Sequence, residues 1–206
     1  MASNIIKEEV QLPKDFKKCL AFVLYNVFTK EECEEYINIA EKKGFEVALL
    51  NAGDRLRILR YDPGEYFRPH YDGMYKRDNG ERSYVTVQIY LNEGFEGGST
   101  TFIGSHIDER VEVVPKTGSV LVFEHPILHE GSELIAGRKY AIRTDVMYSS
   151  TISKPKKATN TETTESESDT QHSQTTESVQ SSETSKDLST TENTKKKSNF
   201  LSKLFG

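Results

Sequence analysis

The 206-residue chain has no tryptophan and only two cysteines, Cys19 and Cys33. The two thiols lack metal-type spacing, and they read as buried or free groups in a reducing compartment rather than as a disulfide framework. No apolar run approaches the length needed to span a bilayer. The first residues, Met1 to Glu9, have no apolar core and carry acids early, so no secretion signal is expected and a soluble, cytoplasmic chain is. An excess of basic charge is missing too: 27 Lys and Arg stand against 32 Asp and Glu, for a net charge of -5. The basic residues are scattered among acids over the first 150 positions, which argues against a nucleic-acid partner. What the chain does have is ten Tyr and ten Phe, and room for one ordinary domain with an appendage.

Residues 1 to about 17 are mixed polar and are expected to fray. A first unit is expected over 18–50. Leu20 to Val27 is a short apolar run suited to a buried strand. Thr29 then reads as a helix N-cap, with Glu31, Glu32, Glu34 and Glu35 near the positive end of the helix dipole. Cys33, Tyr36, Ile37 and Ala40 follow helical spacing, and Lys42, Lys43 and Gly44 form a stop signal.

From 54 to 149 the pattern turns to β. Candidate strands are Leu56–Tyr61, Phe67–Tyr71, Tyr84–Leu91, Ser99–Ile103, Arg110–Val114, Ser119–Phe123, Ile127–Ser132 and Tyr140–Tyr148. Turn signals such as Asp78-Asn79-Gly80, Gly97-Gly98 and Ala136-Gly137 separate them. Eight short strands so spaced, after one helix, indicate a mainly β fold, a double-sheet jelly roll or a barrel, and of these the double-stranded β-helix (jelly roll) is the one expected.

Inside that pattern lies His70-x-Asp72, two metal-binding side chain types two residues apart. In an extended chain such residues point to the same side. Alone the pair proves little, since a chance match is expected in roughly one such sequence in four, and a turn-end His beside an Asp capping its own backbone is the rival reading. His129 in a later strand changes the balance. Two His and one carboxylate on a β scaffold make the facial triad that holds non-haem Fe(II) and leaves coordination positions open. Lys139, ten residues on, is a cation suited to anchor the far carboxylate of a chelating co-substrate. Arg143 is the rival anchor, about 13 Å further along an extended strand. His125 is the weaker ligand candidate, beside Pro126 at a turn, while His106 and His172 fall in a loop and the tail.

After Ser150 the composition changes. Residues 151–194 are dominated by Ser, Thr, Glu, Gln and Lys, which do not bury enough surface to offset the entropy of ordering, so disorder is expected. Residues 195–206 end the chain with Phe200, Leu201, Leu204 and Phe205 on one helical face beside lysines. That basic amphipathic end suits a weak membrane or partner contact, with a merely frayed end as the alternative.

With these residues in hand, the chain resembles the Fe(II)- and 2-oxoglutarate-dependent dioxygenases, in their prolyl 4-hydroxylase-like branch. The matching segments are Arg60 to Gly73, Gln88 to Asn92, Gly97 to Phe102, Leu128 to Gly131 and Gly137 to Tyr148, with a weaker match over Val23 to Ala48. The resemblance implies that His70, Asp72 and His129 hold the iron. It implies that Lys139 pairs with the distal carboxylate of 2-oxoglutarate, assisted by Tyr90, and that Tyr61 lines the pocket. Packing in a β core is the rival role for both tyrosines. The implied reaction consumes O2 and 2-oxoglutarate, releases succinate and CO2, and hydroxylates an unactivated C–H bond, with ascorbate as an auxiliary reductant. A peptidyl proline is the implied substrate; a free amino acid or other small molecule, or a truncated, catalytically weak jelly-roll binding module, are the alternatives. Phe45 to Leu50 leads almost at once into Asp54, so fewer helices than usual are expected behind the larger sheet, with part of an apolar face exposed.

Overall fold

The structure, a computed structural model, describes residues 4–47, 56–106, 108–149 and 184–187. In chain order the elements are β1 (Ile6–Glu9), β2 (Ala21–Tyr25), α1 (Lys30–Lys43), β3 (Glu46–Val47), β4 (Arg57–Tyr61), β5 (Phe67–His70), β6 (Arg82–Tyr90) and β7 (Glu96–Gly97). There follow β8 (Thr100–Ile103), β9 (Arg110–Val113), β10 (Val120–Glu124), β11 (His129–Gly131), β12 (Leu134–Ala136), β13 (Lys139–Tyr148) and β14 (Thr184–Asp187). A larger sheet runs β1-β2-β10-β6-β13-β4-β14-β3, and a smaller one runs β5-β11-β8-β9, all antiparallel. The mainly β jelly roll expected from the strand spacing is the fold observed.

Side-chain alternation divides the larger sheet into two faces. Ile58, Val87, Ile89, Val120, Tyr140 and Ile142 form one buried cluster, joined by Cys33 and Ala40 of α1. Tyr90, Leu121, Phe123 and Ala141 point the other way and meet Phe102 and Val113 of the smaller sheet. The helix holds its place because both ends are satisfied. Thr29 and Glu32 form a reciprocal capping box, Glu31 and Glu32 sit at its start, and Lys42 and Lys43 at its end. This one helix covers the apolar face expected to lie open: Ile58, Val87, Ile89, Val120 and Ile142 are each 1% exposed or less.

One other expectation is corrected. The N-terminus does not simply fray, because Ile6–Glu9 pairs in register with β2 through its backbone, although all four side chains stay exposed. Its polar sequence hid it, since an edge strand with no buried face shows no alternation. Within the stretch expected to be without structure, Thr184–Asp187 pairs with β4 and β3. The rest of 151–206, including the basic end, lies outside the described residues.

The turn before β10 is fixed by Gly118, at φ +77°. A Cβ there would lie 2.0 Å from the Phe28 carbonyl oxygen, and the Phe28 N–H donates to the Gly118 carbonyl at 3.1 Å. Only glycine tolerates both that backbone conformation and that approach. The contact locks the β2–α1 corner to the strand that leads towards His129.

Candidate metal centre

His70 ends β5, Asp72 follows two residues on, and His129 opens β11. Antiparallel pairing sets His70 directly opposite His129, with a bulge just beyond. Asp72 lies past the end of its strand, where its backbone N–H donates to the His125 carbonyl at 3.3 Å. The imidazole Nε2 atoms of His70 and His129 lie 3.5 and 3.7 Å from the two carboxylate oxygens of Asp72. One ligand atom from each of the three residues falls within 4.8 Å of the others.

The donor chemistry fits a divalent transition metal. A backbone carbonyl only accepts, so the Nδ1 atoms of His70 and His129, at 2.7 Å from Arg68 O and 2.9 Å from Ile127 O, carry the hydrogen. That tautomer leaves the Nε2 lone pairs directed at the shared space, as metal-binding histidines require. Asp72 is 2% exposed at its side chain. Burial alone would raise its pKa, but its polar neighbours, the Arg143 guanidinium and the Thr86 hydroxyl among them, hold the carboxyl well below the usual range. Thr86 Oγ1 donates to Oδ2 and Arg143 Nη2 to Oδ1, both at 2.5 Å, which fixes the orientation of the carboxylate. Phe67 packs edge-on against His70, and Phe123 against His129, forming an apolar wall.

Burial pushes the His129 imidazole down to about 4, although the Asp72 charge works the other way. The folded protein therefore keeps this ring neutral where the unfolded chain takes up a proton. The stability contribution is full above about pH 6.5 and is lost as pH falls towards 4. For the metal-free protein, a loss of about 3 kcal/mol is expected over that window, on the basis of 1.36 kcal/mol per pKa unit. Denaturant titrations at several pH values check this, and His129→Gln should flatten that part of the profile.

Lys139, 2% exposed, starts β13 opposite Tyr61 in register. Its Nζ donates to the Gly98 carbonyl at 2.6 Å and lies 4.9 Å from the Tyr61 ring centroid and 5.9 Å from that of Tyr90. Burial pushes the Tyr90 hydroxyl up, so it stays protonated and donates to Thr100 Oγ1 at 2.8 Å. Lys139, Tyr61 and Tyr90 are thus brought together on the inner face, in one recess with Gly98 and Thr100. Arg143, the rival anchor, is not in that recess; it sits on Asp72. His125 is buried but outside the ligand group, and His106 is exposed. His172 lies outside the described residues. Sequence reasoning missed Thr86 and Thr100. Thr86 shares the inner face of β6 with Tyr90 by simple alternation, a signal that was available.

Residues 56–144 match the family model described as the 2OG-Fe(II) oxygenase superfamily. Prolyl 4-hydroxylase 1 of Arabidopsis thaliana is 26% identical over 110 residues, covering 43% of this chain and 39% of that protein. A putative prolyl 4-hydroxylase of Acanthamoeba polyphaga mimivirus is 32% identical over 114 residues, covering 47% and 45%. The matched part of the chain thus spans under half the length of these relatives. Among solved structures, the viral collagen prolyl hydroxylase of Paramecium Bursaria Chlorella virus-1, in complex with 2OG, is similar with a TM-score of 0.47 and 21% identity, over 62% of this chain and 94% of that one. The family match covers all three clustered side chains and the buried lysine, and it is over residues 56–144, less than half of the chain, that the protein is similar to the 2OG-Fe(II) oxygenase superfamily.

Proposed function

We propose that this chain hydroxylates an unactivated C–H bond, with a peptidyl proline as the substrate, while converting 2-oxoglutarate and O2 to succinate and CO2. The observation that carries the reading is the convergence of His70, Asp72 and His129 from two strands far apart in sequence. In this reading those three side chains would hold Fe(II), a ligand set that leaves coordination positions open for co-substrate and oxygen. The bound ion supplies the oxygen activation and redox chemistry.

The chain's own residues orient and shield. Lys139 stands ready to receive a distal carboxylate by a charge-assisted hydrogen bond, with Tyr61 and Tyr90 walling the recess. Thr86 and Arg143 keep Asp72 from rotating. Phe67 packs on the His70 ring, and Phe102 and Phe123 bury that of His129. The presence of Asp72 favours hydroxylation over halogenation, because a carboxylate fills the position a halide would need. Prolyl peptides are the first substrates to try because the relatives bear prolyl 4-hydroxylase names.

The test is direct. Under anaerobic conditions, Fe(II) plus 2-oxoglutarate should give a weak visible charge-transfer band, and admitting O2 with a panel of prolyl peptides should release succinate and hydroxylated product in equal amounts. Folded protein that gives neither band nor succinate would overturn the reading.

A further inference from the structure

The inner face of β13 carries more charge than holding a metal and 2-oxoglutarate requires. Lys139, Ala141, Arg143 and Asp145 alternate onto that face, and the contacts of Lys139 with Gly98 and of Arg143 with Asp72 confirm its direction. Lys139 stands at one end. Arg143 lies two pleats further along, against the carboxylate of the metal cluster. A co-substrate held by Lys139 therefore leaves Arg143 on the opposite flank, the side left for the molecule to be oxidised.

Arg143 engages Asp72 through Nη2 alone, and the same nitrogen lies 3.9 Å from Asp145 Oδ1. A guanidinium has five N–H donors in a planar fork, and a fifth of this side chain remains accessible. In register opposite Arg143 on β4 stands a second arginine, Arg57. Beside Asp145, His125 is 4% exposed, with both ring nitrogens buried. Its Nε2 lies 3.9 Å from Asp145 Oδ1, too far for a hydrogen bond. A buried imidazole so placed calls for a polar neighbour.

We propose that Arg143, with His125 beside it, reads a carboxylate that the substrate carries next to the carbon being hydroxylated. The proposal rests on the hydroxylase reading above and narrows it to acid-bearing substrates. The carboxylate has two possible sources: the α-carboxylate of a free imino or amino acid, or an acidic side chain flanking the target in a peptide.

The experiment uses two matched pairs: L-proline against L-prolinamide, and a prolyl peptide with aspartate beside the proline against the same peptide with asparagine. Binding to the protein with Fe(II) and 2-oxoglutarate is measured anaerobically by calorimetry, and succinate release is measured separately in air. In at least one pair the acid should bind about tenfold more tightly than its amide, a charge-assisted contact's worth, and the pair that shows it identifies the source. Arg143→Gln should bring the ratio to about one, and Arg143→Lys, which keeps the charge but loses the fork, should retain part of it. Equal affinities in both pairs, no binding of any probe, or a ratio unchanged in Arg143→Gln would overturn the proposal. Succinate release without an acid preference sinks this proposal alone, whereas an Arg143-dependent preference without succinate under any condition upholds it and sinks the hydroxylase reading instead.

Discussion

Asp72→Ala protein should bind Fe(II) at least ~100-fold more weakly than the parent and release no measurable succinate. Removing an outer partner of a metal ligand already costs about 10–100-fold in affinity, and Asp72 is itself the one anionic member of the cluster. It is also the hub of its surroundings: Thr86, Arg143, His70 and His129 all lie within 4 Å of its carboxylate oxygens. Truncation leaves the Arg143 guanidinium without its closest counter-charge, so a fall in stability should accompany the loss of metal. Asp72→Asn separates the two effects, since it keeps the shape and one acceptor while losing the charge. Iron titration followed by the charge-transfer band, beside thermal melting, checks both. His106→Ala, on an exposed loop, is the control and should change neither.

Lys139→Ala should raise the 2-oxoglutarate concentration needed for half-saturation by about 10–100-fold, the range for a lost hydrogen bond to a charged group. Iron affinity should stay nearly constant, because Lys139 contacts Gly98, Tyr61 and Tyr90 rather than the three ligands. Titrating 2-oxoglutarate into the anaerobic Fe(II) protein gives the first quantity, and metal content after dialysis gives the second. An equal loss of both would mean that the lysine supports the fold of the recess instead of holding the co-substrate. Arg143→Gln gives the reverse contrast, disturbing Asp72 and leaving the lysine recess intact.

Much of the fold was legible because burial on one face imposes a period of two. Leu56–Tyr61 and Tyr84–Leu91 match β4 and β6 to within two residues. The helix was marked by Thr29 and Glu32 at one end and Gly44 at the other. Where no face is buried the signal vanishes, which is why Ile6–Glu9 went unread. Ile127–Ser132 looked like one strand, yet pairing starts only at His129 and a second strand begins at Leu134. In the centre, spacing picked out the three clustered ligands and Lys139. It did not show that Arg143 would touch Asp72, because that contact depends on how the end of β5 folds over β13, a tertiary matter with no local trace. His125 was passed over as a ligand, and the structure keeps it out of the cluster while giving it a neighbour, Asp145, twenty positions away.

His70 and His129 face one another across two strands, one rung of an antiparallel ladder. A slip by a single residue would throw one imidazole to the far side of the sheet. The strand carrying His70 has only four residues and sits at the sheet's rim with one neighbour. An ion seated between the rings therefore acts as a rivet through that rim, and its binding free energy is also alignment free energy. Were an ion held there, occupancy and strand register would become two readings of one state, and metal binding would report that the smaller sheet had been assembled correctly.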